Sequence, residues 1–173
     1  MKTDEVNKAL EEFGQFVIDR AKNNLKKGGK YGTHNTTNKL TNSLKFKTKE
    51  MARSISFDFF AESYWKFLDY GTKGSKSSKK APNSPYKAAA SVSAIDRWVV
   101  KKGLAGTRGK DGRFMTRKSM VGAITRSINK TGTYETKFFR EAFETSYKNL
   151  DENLVEKYGL DLESFLKFTL KET

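Results

Sequence analysis

Val6, Leu10, Phe13, Val17, Ala21 and Leu25 follow one another at three- and four-residue steps. This spacing lays a single apolar stripe along a helix and predicts one over residues 4–27. Thr3 suits the N-cap, Asp4 and Glu5 the positive end, and Lys26-Lys27-Gly28 the stop. A glycine- and asparagine-rich loop, "GGKYGTHNTTN", comes next. The pattern then changes to strict alternation. In "LKFKTKE" (44–50) and "RSISFDFF" (53–60) apolar and polar residues take turns, with Ile55, Phe57 and Phe59 on one side and Ser54, Ser56 and Asp58 on the other. An antiparallel pair turning near Glu50-Met51 is the simplest arrangement.

The stretch "ESYWKFLDYGTKGSKSSKK" (62–80) changes character halfway. Ala61, Tyr64, Trp65 and Leu68 stand at helical spacing and Gly71 where a helix-ending glycine belongs, so the aromatic half predicts a short helix with one buried face. Residues 73–91 hold both prolines among lysine, glycine, serine and asparagine, a composition expected to be mobile when free. Further helices are predicted at 93–103 (Ile95, Trp98 and Val99 inward, Gly103 as cap), at 116–130 (Met120, Ile124, Ile128), at about 138–157 (Phe139, Phe143, Tyr147, Leu150, Leu154) and at 161–171 (Leu162, Phe165, Phe168). A second glycine-rich basic loop, "LAGTRGKDGRF", covers 104–114. Local strand pairing beside several helices reads as α+β: a small antiparallel β-sheet packed against a long N-terminal helix and several C-terminal helices. A length of 173 residues suits one domain, 1–173, with a flexible basic insert at about 73–115.

Composition narrows the chemistry. Thirteen Phe, seven Tyr and two Trp supply bulky burial for a folded, soluble chain. No run of about eighteen apolar residues predicts a membrane span, and no charged-then-apolar start predicts a signal peptide. The absence of cysteine excludes disulfides, thiolate catalysis and cysteine-bound zinc, and fits synthesis in a cytosol. His34, the one histidine, lies in a polar loop and reads as solvated, which leaves histidine triads and multi-histidine metal sites without support. The net charge of +14, thirty-four Lys and Arg against twenty Asp and Glu, implies attraction to something acidic without choosing between nucleic acid and protein. The lysines run along the whole chain rather than in one block.

Three constellations have chemical readings. Asp111 followed by Glu135-Thr136-Lys137 matches the distant acid plus Glu-x-Lys of metal-dependent nucleases, provided that "TYETKFF" is a strand placing Glu135 and Lys137 on one face. Asp58, Glu62 and Asp69 flank the aromatic helix and could bind a cation. Asp58, however, reads first as the solvent face of a strand and Glu62 as the first turn of a helix, while Asp69 reads equally as an exposed helix-end acid or as a residue with a specific role. The basic loops 73–80 and 101–118 can neutralise phosphates, and Trp65 or Trp98 could stack on bases, although both Trp fall on apolar stripes. No phosphate-cradling loop is present, because "GLAGTRGKDG" lacks the strand-then-helix frame and the Gly-Lys-Ser/Thr ending. No cofactor is indicated.

Three stretches, in order, resemble the small tail-component proteins of tailed bacteriophages, the tail-completion or head–tail connector (neck) family. "TNKLTNSL" (37–44) is similar to that family's Thr-Gly-x-Leu-x-x-Ser-Ile segment through Thr37, Leu40, Ser43 and Leu44, with Asn38 in place of the glycine. "YWKFLDYGT" (64–72) resembles its Tyr-Ala-x-Tyr-Val-Glu-x-Gly-Thr signature through Tyr64, Asp69, Gly71 and Thr72. "KFFREAF" (137–143) resembles its Pro-Phe-Leu-x-x-Ala helix start through Phe138 and Ala142, with Lys137 in place of the proline. The resemblance implies a non-enzymatic virion protein of the neck, made in the host cytoplasm. Copies would form a ring beside portal or connector and tail proteins, in possible contact with passing DNA and with no membrane. Asp69 would cap or pair near the turn. Contacts with neighbouring subunits would fall to Asp69, Gly71, Thr72, Lys73, Lys76, Lys79, Lys80 and Tyr86, and to Lys101, Lys102, Arg108, Lys110 and Arg113. The alternatives from the residues alone are a non-specific nucleic-acid-binding protein and a metal-dependent nuclease using Asp111, Glu135 and Lys137.

Overall fold

In chain order the elements are α1 (Thr3–Lys27), α2 (Lys39–Ser43), β1 (Lys45–Met51), β2 (Ser54–Ala61), α3 (Trp65–Asp69), α4 (Val92–Lys101), α5 (Arg117–Thr131), α6 (Phe138–Tyr158) and β3 (Leu166–Glu172). The computed structural model describes residues 3–27, 37–51, 54–76, 79–104, 108, 112–158 and 166–172. His34, Lys110 and Asp111 lie outside the described residues, as do 161–165 of the last expected helix. The fold is α+β. Where one domain with a basic insert was expected, the chain divides into two compact units: Met1–Trp65 with Lys137–Thr173, and Lys66–Thr136. The insert is the middle of the second unit.

In the first unit the predicted stripe of α1 is the buried one: Leu10, Phe13, Val17, Ala21 and Leu25 are at most 6% exposed. α1 packs against α6 and β1. β1 and β2 pair antiparallel, Phe46 opposite Phe59 and Thr48 opposite Phe57. The predicted inward set of β2, Ile55, Phe57 and Phe59, is buried. These rings meet others from the flanking helices. Phe13 meets Phe57 edge-on at 5.7 Å, and Phe59 meets Phe139 edge-on at 5.4 Å. Phe143 stands 6.1 Å from both Phe13 and Phe59. Edge-to-face geometry sets the positive rim of one ring against the negative face of the next, which fixes relative orientation as well as burying area.

The last element corrects the sequence reading. Residues 166–172 form a strand, not a helix, and pair parallel to β2 with Ile55 beside Leu166, Phe57 beside Phe168 and Phe59 beside Leu170. The sheet is therefore three-stranded and mixed, in the order β1-β2-β3. Leu166, Phe168 and Leu170 alternate with Lys167, Thr169 and Lys171, a strand period, although Leu162, Phe165 and Phe168 also stand at helical spacing. The second edge of β2, with its row of backbone donors and acceptors needing partners, decides for the strand.

The second unit has its own small core, in which Val99 of α4 meets Met120 and Val121 of α5, with Ile95, Trp98, Leu104 and Ile124 packed around them. α4 closes as expected, with Gly103 at φ 63° and the Leu104 N–H donating to the Val99 carbonyl at 3.1 Å. α5 begins at Thr116, whose hydroxyl accepts from the Ser119 N–H at 3.2 Å.

Phe57 is fully buried and Phe60 half-buried on the same strand. Phe57→Ala is expected to cost about 3–5 kcal/mol and Phe60→Ala clearly less, as read by urea unfolding.

Candidate partner-contact surface

The residues after α3 build a turn before they offer any surface. Asp69 is fully buried, so it is neither an exposed helix-end acid nor a group that reaches a partner. Gly71, at φ 66°, follows in the left-handed region, and an added Cβ would lie 2.6 Å from the Thr133 carbonyl oxygen. Thr72 bridges Thr133 antiparallel: its N–H donates to the Thr133 carbonyl at 3.3 Å, the Thr133 N–H donates back at 3.0 Å, and their hydroxyls lie 3.0 Å apart. Asp69, Gly71 and Thr72 thus leave the list of expected contacts and become the frame beneath it. Tyr86 is half-buried, edge-on to Phe67 at 5.0 Å and to Tyr70 at 5.9 Å.

Residues 73–91, read as a loop without a core, are held by hydrogen bonds over the described stretches 73–76 and 79–90. Lys73 donates to the Tyr86 carbonyl and Ala88 donates to the Lys73 carbonyl, each at 2.8 Å. The buried Ser84 hydroxyl donates to the Gly71 carbonyl at 2.7 Å, and Ala90 N–H donates to the Asn129 side-chain oxygen at 2.8 Å. The other anchor is the end of α5, whose last carbonyls have no partner inside the helix. Ser75 N–H donates to Asn129 at 2.9 Å, and Lys76 N–H donates to Lys130 at 3.0 Å. The Lys80 ammonium donates to the Thr131 hydroxyl at 2.9 Å and the Gly132 carbonyl at 3.2 Å, placing a cation at the negative end of the helix. Composition conceals this, because the partners are backbone groups lying some fifty residues further along the chain.

With the backbone so tied, Lys73, Lys76 and Lys87 line a cleft of about 630 Å³ together with Ser75 and Asn129. Lys79 is exposed, and Lys80 also lies 5.2 Å from the centre of the exposed Tyr134 ring. Lys101 is exposed at the end of α4 and Lys102 is its half-buried C-cap. Arg108 pairs with Phe114 in an antiparallel bridge and covers that ring at 4.8 Å, and Arg113 is exposed beside it. The two Trp side chains pack inward instead of presenting a base-stacking face. Trp65 meets Phe139 edge-on at 5.9 Å, and Trp98 joins the α4–α5 core.

The nuclease premise fails in its geometry where it is described. Residues 134–137 form no strand, and Lys137 at φ 53° breaks the alternation that was to align it with Glu135. Of the positions that resemble the phage family, Thr37, Leu40, Ser43, Leu44, Tyr64, Phe138 and Ala142 belong to the first unit, and Asp69, Gly71 and Thr72 to the second. Leu40, Leu44, Phe138 and Ala142 are buried, and Thr37 is exposed. Ser43 donates to the Leu40 carbonyl at 2.8 Å and accepts from the Glu62 N–H at 3.0 Å. Asn38 sits at φ 54°, the left-handed position where that family has glycine. Lys137, in the same region, holds a backbone that the family's proline could not adopt. Partial burial, reinforced by Glu62 and opposed by Lys39 and by a backbone hydrogen bond at Leu40, raises the Tyr64 hydroxyl above its ordinary value of 10.0. Lys39 and Glu62 pair at 3.2 Å.

The division into units also revises the charge pattern. Lys66–Thr136 contains sixteen Lys and Arg against four Asp and Glu, a net +12, whereas the other unit contains eighteen against sixteen, a net +2. The lysines are evenly spread, but the acids are not. No family model matches the chain, and neither a curated protein nor a solved structure shows significant similarity to it.

Two glycines give opposite expectations. Gly132 lies at φ 74°, and a Cβ there would collide with the Thr72 carbonyl, whereas Gly122 within α5 faces open space. Gly132→Ala is expected to cost about 2 kcal/mol or more, and Gly122→Ala to stabilise by up to about 1 kcal/mol. Thermal melts of the two variants provide the comparison.

Proposed function

We propose that the chain is a non-enzymatic structural protein of a bacteriophage virion, placed at the head–tail junction as a neck, tail-completion or connector component. In this reading several copies form a ring that joins the portal side to the tail. The observation that carries it is where the three resembling stretches fall. Asn38 and Gly71 occupy left-handed turns, and Leu40, Leu44, Phe138 and Ala142 are core. Such positions shape a fold and recur with it, while partner surfaces around them are free to vary. Lys137 is the exception, as its backbone departs from the family's proline.

The second support is the division of labour. One unit is nearly neutral and carries the sheet and the aromatic core, while the other holds +12 and displays Lys76, Lys79, Lys101, Arg108 and Arg113 at its surface. A surface of that sign is drawn to acidic neighbours, which in a neck are adjoining ring proteins or the DNA passing through.

Cryo-EM of intact particles from the phage encoding this chain, with mass spectrometry of the same preparation, tests the reading. The expected result is a ring between portal and tail; particles that lack the chain would sink the proposal. Replacing Lys101, Arg108 and Arg113 together by Glu touches no core residue, and is expected to lower incorporation into particles by about tenfold or more through like-charge repulsion.

A further inference from the structure

Lys73 and Lys87 stand directly opposite each other in a parallel bridge, held there by the hydrogen bonds from Lys73 to Tyr86 and from Ala88 to Lys73. Like charges in such a pair repel and destabilise it. Lys76 joins them around the same cleft, and among the described residues no carboxylate lines it. The arrangement is fixed by the backbone rather than by side-chain choice: Lys76 is tethered through its N–H to the end of α5, and Ser75 likewise. Three cations are thus gathered where the described lining supplies no counter-charge, and the opposition is relieved once an anion enters. Asn129, whose oxygen already accepts from Ala90, contributes its NH₂ group as a donor to the lining, and Ser75 contributes a hydroxyl.

We infer that this cleft seats the phosphate backbone of duplex DNA. Its volume lies within the range of ligand clefts, about 300–1,000 Å³, and is ample for a phosphodiester with its flanking sugars. The lining favours nucleic acid over an acidic protein. A protein partner needs an apolar, often aromatic, centre to its interface, whereas Ala88 is the one apolar side chain here. The cleft also belongs to the unit that carries +12 of the net +14. That surplus far exceeds the three lysines of the cleft, and a duplex offers it about one negative charge per 1.7 Å of axis, both strands counted. Recognition is of backbone and not of sequence, since the described lining offers cations and small polar groups suited to phosphate. The inference does not depend on ring formation: the isolated chain should bind DNA by itself.

The test is a fluorescence-anisotropy titration of the purified full-length chain with a labelled duplex of arbitrary sequence, repeated from about 50 to 200 mM salt. The wild type is compared with the triple variant Lys73→Gln/Lys76→Gln/Lys87→Gln and with a control triple, Lys26→Gln/Lys45→Gln/Lys49→Gln, in the other unit. Circular dichroism melts establish that each variant is folded. The expected result is wild-type binding with a steep salt dependence. In the cleft triple the slope of log affinity against log salt should be shallower by about 2 to 3, and low-salt affinity should fall by about tenfold or more. The control should change little. Absence of DNA binding at the lowest salt, or equal losses in both triples, overturns the inference. So does binding of poly-glutamate, run as a parallel probe, that depends on the three lysines while DNA binding does not, an outcome that assigns the cleft to an acidic protein instead.

Discussion

Phe57 cannot be moved without moving everything around it in its unit. It is fully buried on the central strand of a three-stranded sheet and meets Phe13 of α1 edge-on. Phe59, two residues on, meets Phe139 and Phe143 of α6 in the same way. Close-packed rings at defined angles tolerate neither a shift of register nor a slide of either helix, because a one-residue slip would turn every ring of β2 to the opposite face. The parallel pairing of β3 then continues the register that those rings have set. A frame of this kind suits a part whose function is to hold position.

The other unit is built on a different constraint, the unmet carbonyls at the end of α5. Backbone donors of Ser75 and Lys76 and the ammonium of Lys80 fall on that helix end, and Thr72 zips against Thr133 beside it. The consequence is that a lysine-rich segment without a core of its own acquires a defined course. Without this anchoring the same lysines would repel one another into an extended, solvated chain. Anchored, they become a surface with a shape, and the opposition of Lys73 and Lys87 becomes a property that a partner can relieve.

Charge and fold therefore divide between the units. The acids that balance the lysines lie almost wholly in the unit of the sheet and the long helices, leaving the other with a large positive excess. A virion neck component and a DNA-backbone contact draw on different parts of this arrangement. The first rests mainly on turns and core positions resembling those of a phage family and the second on the cation cleft, while both draw on the positive excess of the second unit.

Much of the architecture was legible in the chain itself. Local periodicity determined α1, the β1–β2 pair with its inward Ile55, Phe57 and Phe59, the inward faces of α4 and α6, and the left-handed Gly71, because each depends on neighbours within a few residues. Periodicity did not mark Asn38; the resemblance did, by setting it where a glycine stands, and its short polar side chain tolerates the left-handed turn it makes. Three things were decided only by tertiary structure. Residues 166–172 became a strand because β2 had an edge to complete. Asp69, spaced like a surface acid, was buried by packing that spacing cannot reveal. And the course of the described residues between 72 and 90 came from bonds within the segment together with groups at 129–133 at the end of α5, whose need for partners is invisible in composition yet binding in a folded chain.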